Sequence, residues 1–327
     1  MRKENAFVCV VGFTSMMVGC SSEYNAEMIA PEASIVDIEN EEGERHSDVD
    51  ESEENDASDY DTEEYAGGYN GNIYCNGNFL SAEGVEEMLF LTELTDSEDI
   101  YSTYARIDGV ASLFEACGDP WGLFPTTYRH ITNRGIEAVE DGEFENPDWG
   151  RHIIIDFASR YMKNLRAALL TDEEPSWAWK HYYDLADRED VSKTRAVIVA
   201  MCAHLMLDLP YSLADIGSTE DHKNDFFVFG ELMIEVAEDL NDDLIRFYGT
   251  DAGPLLNGFF LGEWIDGRFG SQTTITLSYQ AVRTKSWNNR WYIQQSWGSW
   301  VASSEIWSSF WATDGALAVL DASGAID

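Results

Sequence analysis

The stretch that decides the fold is AMCAHLMLDLP, Ala200 to Pro210. From Ala196 to Leu209 the chain is apolar on every side, the composition of a helix buried all round. Ser192 stands ahead of it as the expected N-cap. Inside this run His204 and Asp208 lie four residues apart, about one helical turn, so both side chains leave the same face. Buried polar groups need partners. The pair therefore satisfies itself with a third group and fixes how helices pack, or it points into an interior pocket.

The flanking sequence repeats the helical signal. Phe124, Tyr128, Ile131, Thr132, Gly135, Ile136 and Val139 trace one stripe. Ile154, Phe157, Ala158, Tyr161, Leu165 and Leu169 trace another, with Asp148 after Pro147 as the expected N-cap. Phe226, Phe229, Met233, Ala237, Leu240 and Leu244 predict one long amphipathic helix, with Glu231, Glu235, Glu238 and Asp242 turned away. It should end at Gly249 or at Asp251-Ala-Gly253. A last helix carries Trp307 and Trp311, and TTITLSY, before Gln280, reads as a short strand in a turn-rich region. No repeat of fixed period is present. The expected fold is mostly α: a single helical-bundle domain with short irregular or β elements near the C-terminus.

The first residues read differently. Arg2 and Lys3 precede an apolar core, AFVCVVGFTSMMVG, too short to span a bilayer as a helix. Met17-Val18-Gly19-Cys20 resembles the bacterial lipobox. That resemblance implies a signal peptide over 1–19, a lipid on Cys20 and a membrane anchor, held stably because several acyl chains share one cysteine. Ser21, in place of Asp after the cysteine, implies the outer membrane of a Gram-negative cell envelope. Ser21–Ala66 holds 18 acidic residues and one basic residue, Arg45. Such a segment cannot bury enough apolar surface to fold, so 20–66 reads as a disordered acidic tether. As a relaxed coil it would span about 40 Å. Asp48 and Asp50 stand as in a calcium loop, but Glu53 occupies the position that needs glycine and no helices flank it. Residues 67–327 make up the globular domain.

The whole chain has 327 residues, with 61 acidic against 20 basic and a net charge of −41. That surface repels nucleic acid and anionic headgroups, which excludes polyanion partners. A protein or small-molecule partner is left unspecified.

AHLMLDLPYSL resembles the Ala-His-Ile-x-x-Asp-Leu-Pro signature of a bacterial family known as domain of unknown function 5995. Further pieces come in that family's order: Phe124-x-x-x-Tyr128-x-x-Ile131-Thr132, Phe157-Ala158-x-x-Tyr161, Pro175-x-x-x-Trp179, Asp225-Phe226, and Arg283 with Trp287. The resemblance covers about residues 105–290. Leu207 stands where the signature often has a second polar residue, and Gly230 where an Asn is common. The resemblance implies a mostly helical domain and no activity.

Two functional classes follow. In the first, a metal-dependent, phosphodiesterase-like hydrolase holds zinc on His204 and Asp208, which would be its catalytic and metal residues. Imidazole and carboxylate one turn apart can grip a zinc ion, which then needs a third ligand and an open position for water. His222 is the nearest histidine in sequence. His152 with Asp156 reads as a solvated ion pair, His130 falls off the apolar stripe, His181 sits among aromatics, and His46 is in the tether. No Gly-x-Ser-x-Gly, His-Glu-x-x-His or phosphate-binding loop is present. In the second class the chain is a binding or structural envelope lipoprotein with no cofactor. Trp287, Trp291, Trp297 and Trp300 are its candidate ligand surface, set against ordinary core packing. The second class is the stronger reading, and whether the chain is an enzyme stays open. Of the cysteines, Cys9 leaves with the signal and Cys202 is a small core hydrophobe. Cys75 and Cys117 are candidates for a disulfide in an oxidising compartment.

Overall fold

The computed structural model of the protein describes residues 73–75, 78–95, 97–170, 172–256, 279–295 and 297–326. The signal peptide, Cys20, the acidic tether and all of TTITLSY but its last residue lie outside these residues; that residue, Tyr279, is helical. The described residues all fall in one compact unit.

Two short strands, β1 (Tyr74–Cys75) and β2 (Asn78–Phe79), pair antiparallel ahead of the helices. No β element is present near the C-terminus among the described residues. Helices α1 (Ala82–Thr92) and α2 (Ile100–Cys117) start at caps written in the sequence. The Ser81 hydroxyl accepts from Gly84 N, and Asp99 forms a reciprocal capping box with Ser102. Gly118, at φ 66°, ends α2 in the left-handed conformation that favours glycine. A disulfide joins Cys75 of β1 to Cys117 at that same helix end, 42 residues away. In the loop-entropy picture, closing such a loop stabilises the fold by about 4 kcal/mol.

Helix α3 (Leu123–Glu140) buries its expected stripe from Phe124 to Val139. Helix α4 (Pro147–Leu169) does the same from Ile154 to Leu169, but its cap is Asn146, whose side chain accepts from Trp149 N at 3.1 Å. Proline suits the first helical position because its fixed φ and missing N–H cost nothing there, so the cap has to be the residue before it. Asp148 becomes a first-turn acid paired with Arg151 at 2.7 Å.

Helix α5 (Trp177–Ala186) leads to a continuous rod. The rod consists of α6 (Lys193–Cys202), a π-helical turn over Ala203–Asp208, and α7 (Leu209–Asp215). Ser192 caps it, accepting from Arg195 N at 3.2 Å. The rod is apolar enough to cross a membrane by length and composition, yet it lies buried inside the protein. The π turn departs from the plain α-helix its sequence predicts, and Pro210 supplies the reason. A proline inside an α-helix cannot donate to the carbonyl four residues back and its ring collides with it. Widening the preceding turn lets Leu209 N bond His204 O instead. The Leu205 carbonyl accepts from the Ser286 hydroxyl at 2.5 Å.

Helices α8 (Lys223–Glu235) and α9 (Ala237–Tyr248) replace the single long helix expected over this stretch. The break falls at Val236, whose φ −93° and ψ 6° leave the helical region. Bending there lets both halves pack on α3. Gly249, at φ 67°, ends α9 as expected. Helix α10 (Tyr279–Gln294) packs on α7 and the π turn, and α11 (Ser299–Ala322) covers α10 and α6.

Gly230 sits where α8 meets α10. A methyl group there would fall on the buried Arg283 guanidinium, which lies over the Phe226 ring at 4.2 Å and donates to the Phe226 carbonyl. Overpacking of this kind costs roughly 1–3 kcal/mol. Gly230→Ala is expected to lower the urea midpoint accordingly, with the m-value unchanged. An unaltered midpoint would mean that Arg283 has room to retreat.

Candidate functional site

One carboxylate oxygen organises the centre of the domain. Asp208 Oδ2 lies 2.9 Å from His204 Nδ1 and accepts from Trp179 Nε1 at 2.8 Å. The π turn supplies His204 and Asp208, and α5 supplies Trp179. All three side chains are buried. A carboxylate oxygen accepts, so Nδ1 carries the imidazole proton and donates to Asp208 Oδ2.

Aromatic rings wall in the imidazole. Phe157 stacks on it with centroids 3.4 Å apart and planes at 8°. Tyr128 and Phe124 meet it edge-on at 4.7 and 5.1 Å, and Trp179 at 5.9 Å. Phe124, Tyr128, Phe157 and Trp179 all belong to the family-like pieces of the sequence, which thus converge on one imidazole. His204 Nε2 faces this shell without a protein hydrogen-bond partner. Tyr161 and Tyr183, whose rings pack on Trp179 at 5.1 and 6.2 Å, also bury hydroxyls without one. Each such group costs about 1–3 kcal/mol, which the packing around it offsets.

Burial lowers the His204 pKa below its ordinary 6.5, and the opposing hydrogen bond that His204 donates to Asp208 does not overcome it. The histidine is therefore held neutral. Zinc on this pair would need a third protein ligand. Among the described residues, no third His, Cys, Asp or Glu stands with them in a group that could hold a metal ion. His222 is placed elsewhere: its Nδ1 accepts from Thr219 N at 3.0 Å and its ring lies over Trp149.

The remaining histidines also find local roles. His152 is exposed, and Asp156 pairs with Arg160 at 3.1 Å instead of with it. His130 bonds Asp243 at 2.8 Å. His181 bonds Asp314 at 2.9 Å and meets the Trp311 ring edge-on at 4.7 Å. Burial alone would raise the Asp314 pKa, but hydrogen bonds from His181 and Arg195 hold it below the usual carboxylate value.

A cleft of about 590 Å³ opens beside the disulfide, lined among others by Cys117, Asp119, Asp187 and Lys193. His204 and Asp208 do not line it. Two of its polar groups are already engaged: Asp187 accepts from Trp121 Nε1 at 2.8 Å, and Lys193 donates to Tyr248 O at 2.7 Å.

The tryptophans separate into two sets. Trp287 is buried, packed on Phe226 at 4.7 Å and under the Arg290 guanidinium at 3.7 Å. It cannot belong to a ligand surface. Trp291, Trp297 and Trp300 are exposed, together with Trp307. The sequence named His204 and Asp208 but missed their third partner. The Pro-x-x-x-Trp piece, Pro175 to Trp179, was the available signal.

Two outcomes follow from the buried triad. Asp208→Ala strands the His204 and Trp179 donors, at about 1–3 kcal/mol each. Urea unfolding should show a loss of roughly 2–6 kcal/mol, and Asp208→Asn, which keeps an acceptor oxygen, a smaller one. For pH, the folded His204 pKa lies below the unfolded value. The unfolded chain thus takes up a proton below about pH 6.5 that the folded chain refuses, and stability is lost as pH falls. His204→Gln should therefore narrow the stability gap between pH 7.5 and pH 5.5 relative to wild type. An unchanged gap would show that His204 does not carry it.

Comparison with known proteins gives one match. A family model described as "Family of unknown function (DUF5995)" matches residues 100–303. No curated protein and no solved structure matches the chain. The matched span runs from the first residue of α2 into α11 and contains His204, Asp208, Trp179 and the rings around them. The chain belongs to this family of unknown function.

Proposed function

We propose that the chain is a cell-envelope lipoprotein, anchored through lipid on Cys20 at the outer membrane, whose helical domain is a binding or structural module. The lipobox-like Met17-Val18-Gly19-Cys20 and the acidic stretch behind it support the anchor and the tether. The observation that carries the choice of module over enzyme is the closed triad. Asp208 Oδ2 serves both His204 and Trp179 within an aromatic wall, so the polar atoms hold helices together. Two donors from different helices meeting on one buried acceptor oxygen specify how those helices pack.

One observation favours the second reading, a zinc-dependent phosphodiesterase-like hydrolase on His204 and Asp208. His204 Nε2 has no protein partner and is the atom such an ion would take.

Two measurements on the full chain decide these points. Elemental analysis of protein purified without chelator should find no stoichiometric metal in wild type, His204→Ala or Asp208→Ala. Zinc near one equivalent, lost in both variants while they stay folded, would establish the hydrolase site. Mass spectrometry should find Cys20 acylated as the mature N-terminus, and Cys20→Ser should leave the chain outside the membrane fraction. An unmodified cysteine would remove the anchor.

A further inference from the structure

From Trp291 to Val319 the protein has no charged residue among its exposed described positions. A quarter of the whole chain is charged, yet every described residue exposed in this span is tryptophan, serine, glutamine, alanine, glycine or valine. Trp291, Trp297, Trp300 and Trp307 are 46%, 58%, 71% and 56% exposed. The span contains two acids: Asp314 is buried, and the partly exposed Glu305 is neutralised by its neighbours. Glu305 is held by Lys285 at 2.9 Å and by Asn289 and Ser309 at 2.6 Å. Asp314 is held by His181 and Arg195.

Helix α11 explains the geometry. Ala302, Ile306, Phe310 and Leu317 face the core. Trp300 and Trp307, seven residues apart, share another side of the same helix, with serines around them. Trp291 near the end of α10 and Trp297 in the turn before α11 add two more exposed indoles, their rings 6.0 Å apart. An ordinary amphipathic helix would carry charges there. Exposed apolar surface on this scale marks an interaction site.

The occupant follows from charge and reach. The net charge of −41 on the whole chain repels polyanions and anionic lipid. A neutral face of indoles and hydroxyls matches the interfacial zone of a bilayer, where an amphipathic ring buries its body and keeps its N–H wet. The tether reading puts such a surface within reach. Its span of about 40 Å exceeds the radius of gyration of about 18 Å expected for a domain this size, so any face can turn to the membrane. Tethering also raises the effective concentration to the millimolar range, so a weak contact suffices.

We propose that the Trp291–Trp297–Trp300–Trp307 face seats the domain on a zwitterionic lipid surface. This rests on the anchored reading above. The acidic remainder of the surface then points away from the bilayer and fixes the orientation.

The experiment uses the full acylated chain reconstituted into phosphatidylcholine vesicles, with and without bromine on the acyl chains. Flotation reports the anchor, and bromine quenching of tryptophan emission reports docking. Wild type should float, and its emission should fall in brominated vesicles. Trp300→Ser combined with Trp307→Ser should float and lose most of that fall. Both side chains are exposed, and each single variant, checked by near-ultraviolet circular dichroism, guards against misfolding. Phe90→Ser, at an exposed aromatic outside this face, should quench like wild type. A chain that floats with equal emission in both vesicles overturns docking while the anchor stands. A chain that does not float overturns the anchor and the docking with it. Emission that responds to a neutral oligosaccharide and not to brominated lipid overturns the proposal in favour of a glycan surface.

Discussion

A buried carboxylate needs donors, and the centre of this domain is arranged around that need. Asp208 Oδ2 takes one hydrogen bond from His204 in its own rod and one from Trp179 in α5. Those two bonds fix the rotation of the rod and the position of α5 against it. The His204 ring in turn seats Phe157 of α4 and Tyr128 and Phe124 of α3. Four helical elements thus converge on one oxygen and one imidazole. Breaking such a network by removing one member costs more than the network adds over a well-packed apolar core. Its use is to single out one packing among the many that an all-apolar rod would accept.

The π turn belongs to the same constraint. Pro210 forces the rod to widen, and the widened turn frees the Leu205 carbonyl for Ser286 of α10. Proline, acid and histidine lie within seven residues, and their consequences reach α4, α5 and α10.

Much of this was legible in the sequence. The α3 and α4 stripes bury as their periodicity indicates, because each helix has one apolar face and one polar face. Ser192 and Gly249 act where their chemistry places them. The π turn was hidden for a physical reason: a helix apolar all round has no polar face from which to count residues per turn. Trp179 was hidden because its bond to Asp208 spans 29 residues, beyond any local rule. The break at Val236 carries no glycine or proline, and it follows from packing both halves on α3. Trp287 and Trp300 look alike in a tryptophan-rich run, and only the fold separates the buried ring from the exposed one. The burial of Asp314 and the pairing of Glu305 with Lys285 are likewise tertiary facts, and they leave the tryptophan side of α11 without an unpaired charge.

The protonation state of His204 reports most directly on whether the triad is a closed structural network. Nitrogen-15 NMR of the labelled chain reads both ring nitrogens during a pH titration and on addition of zinc. Held as described, His204 stays neutral with its proton on Nδ1 from pH 8 down through its ordinary value of 6.5, and zinc leaves both signals in place. A titration centred at 6.5, or a zinc-dependent shift at Nε2, would make the site open and reactive and would remove the basis for treating it as architecture.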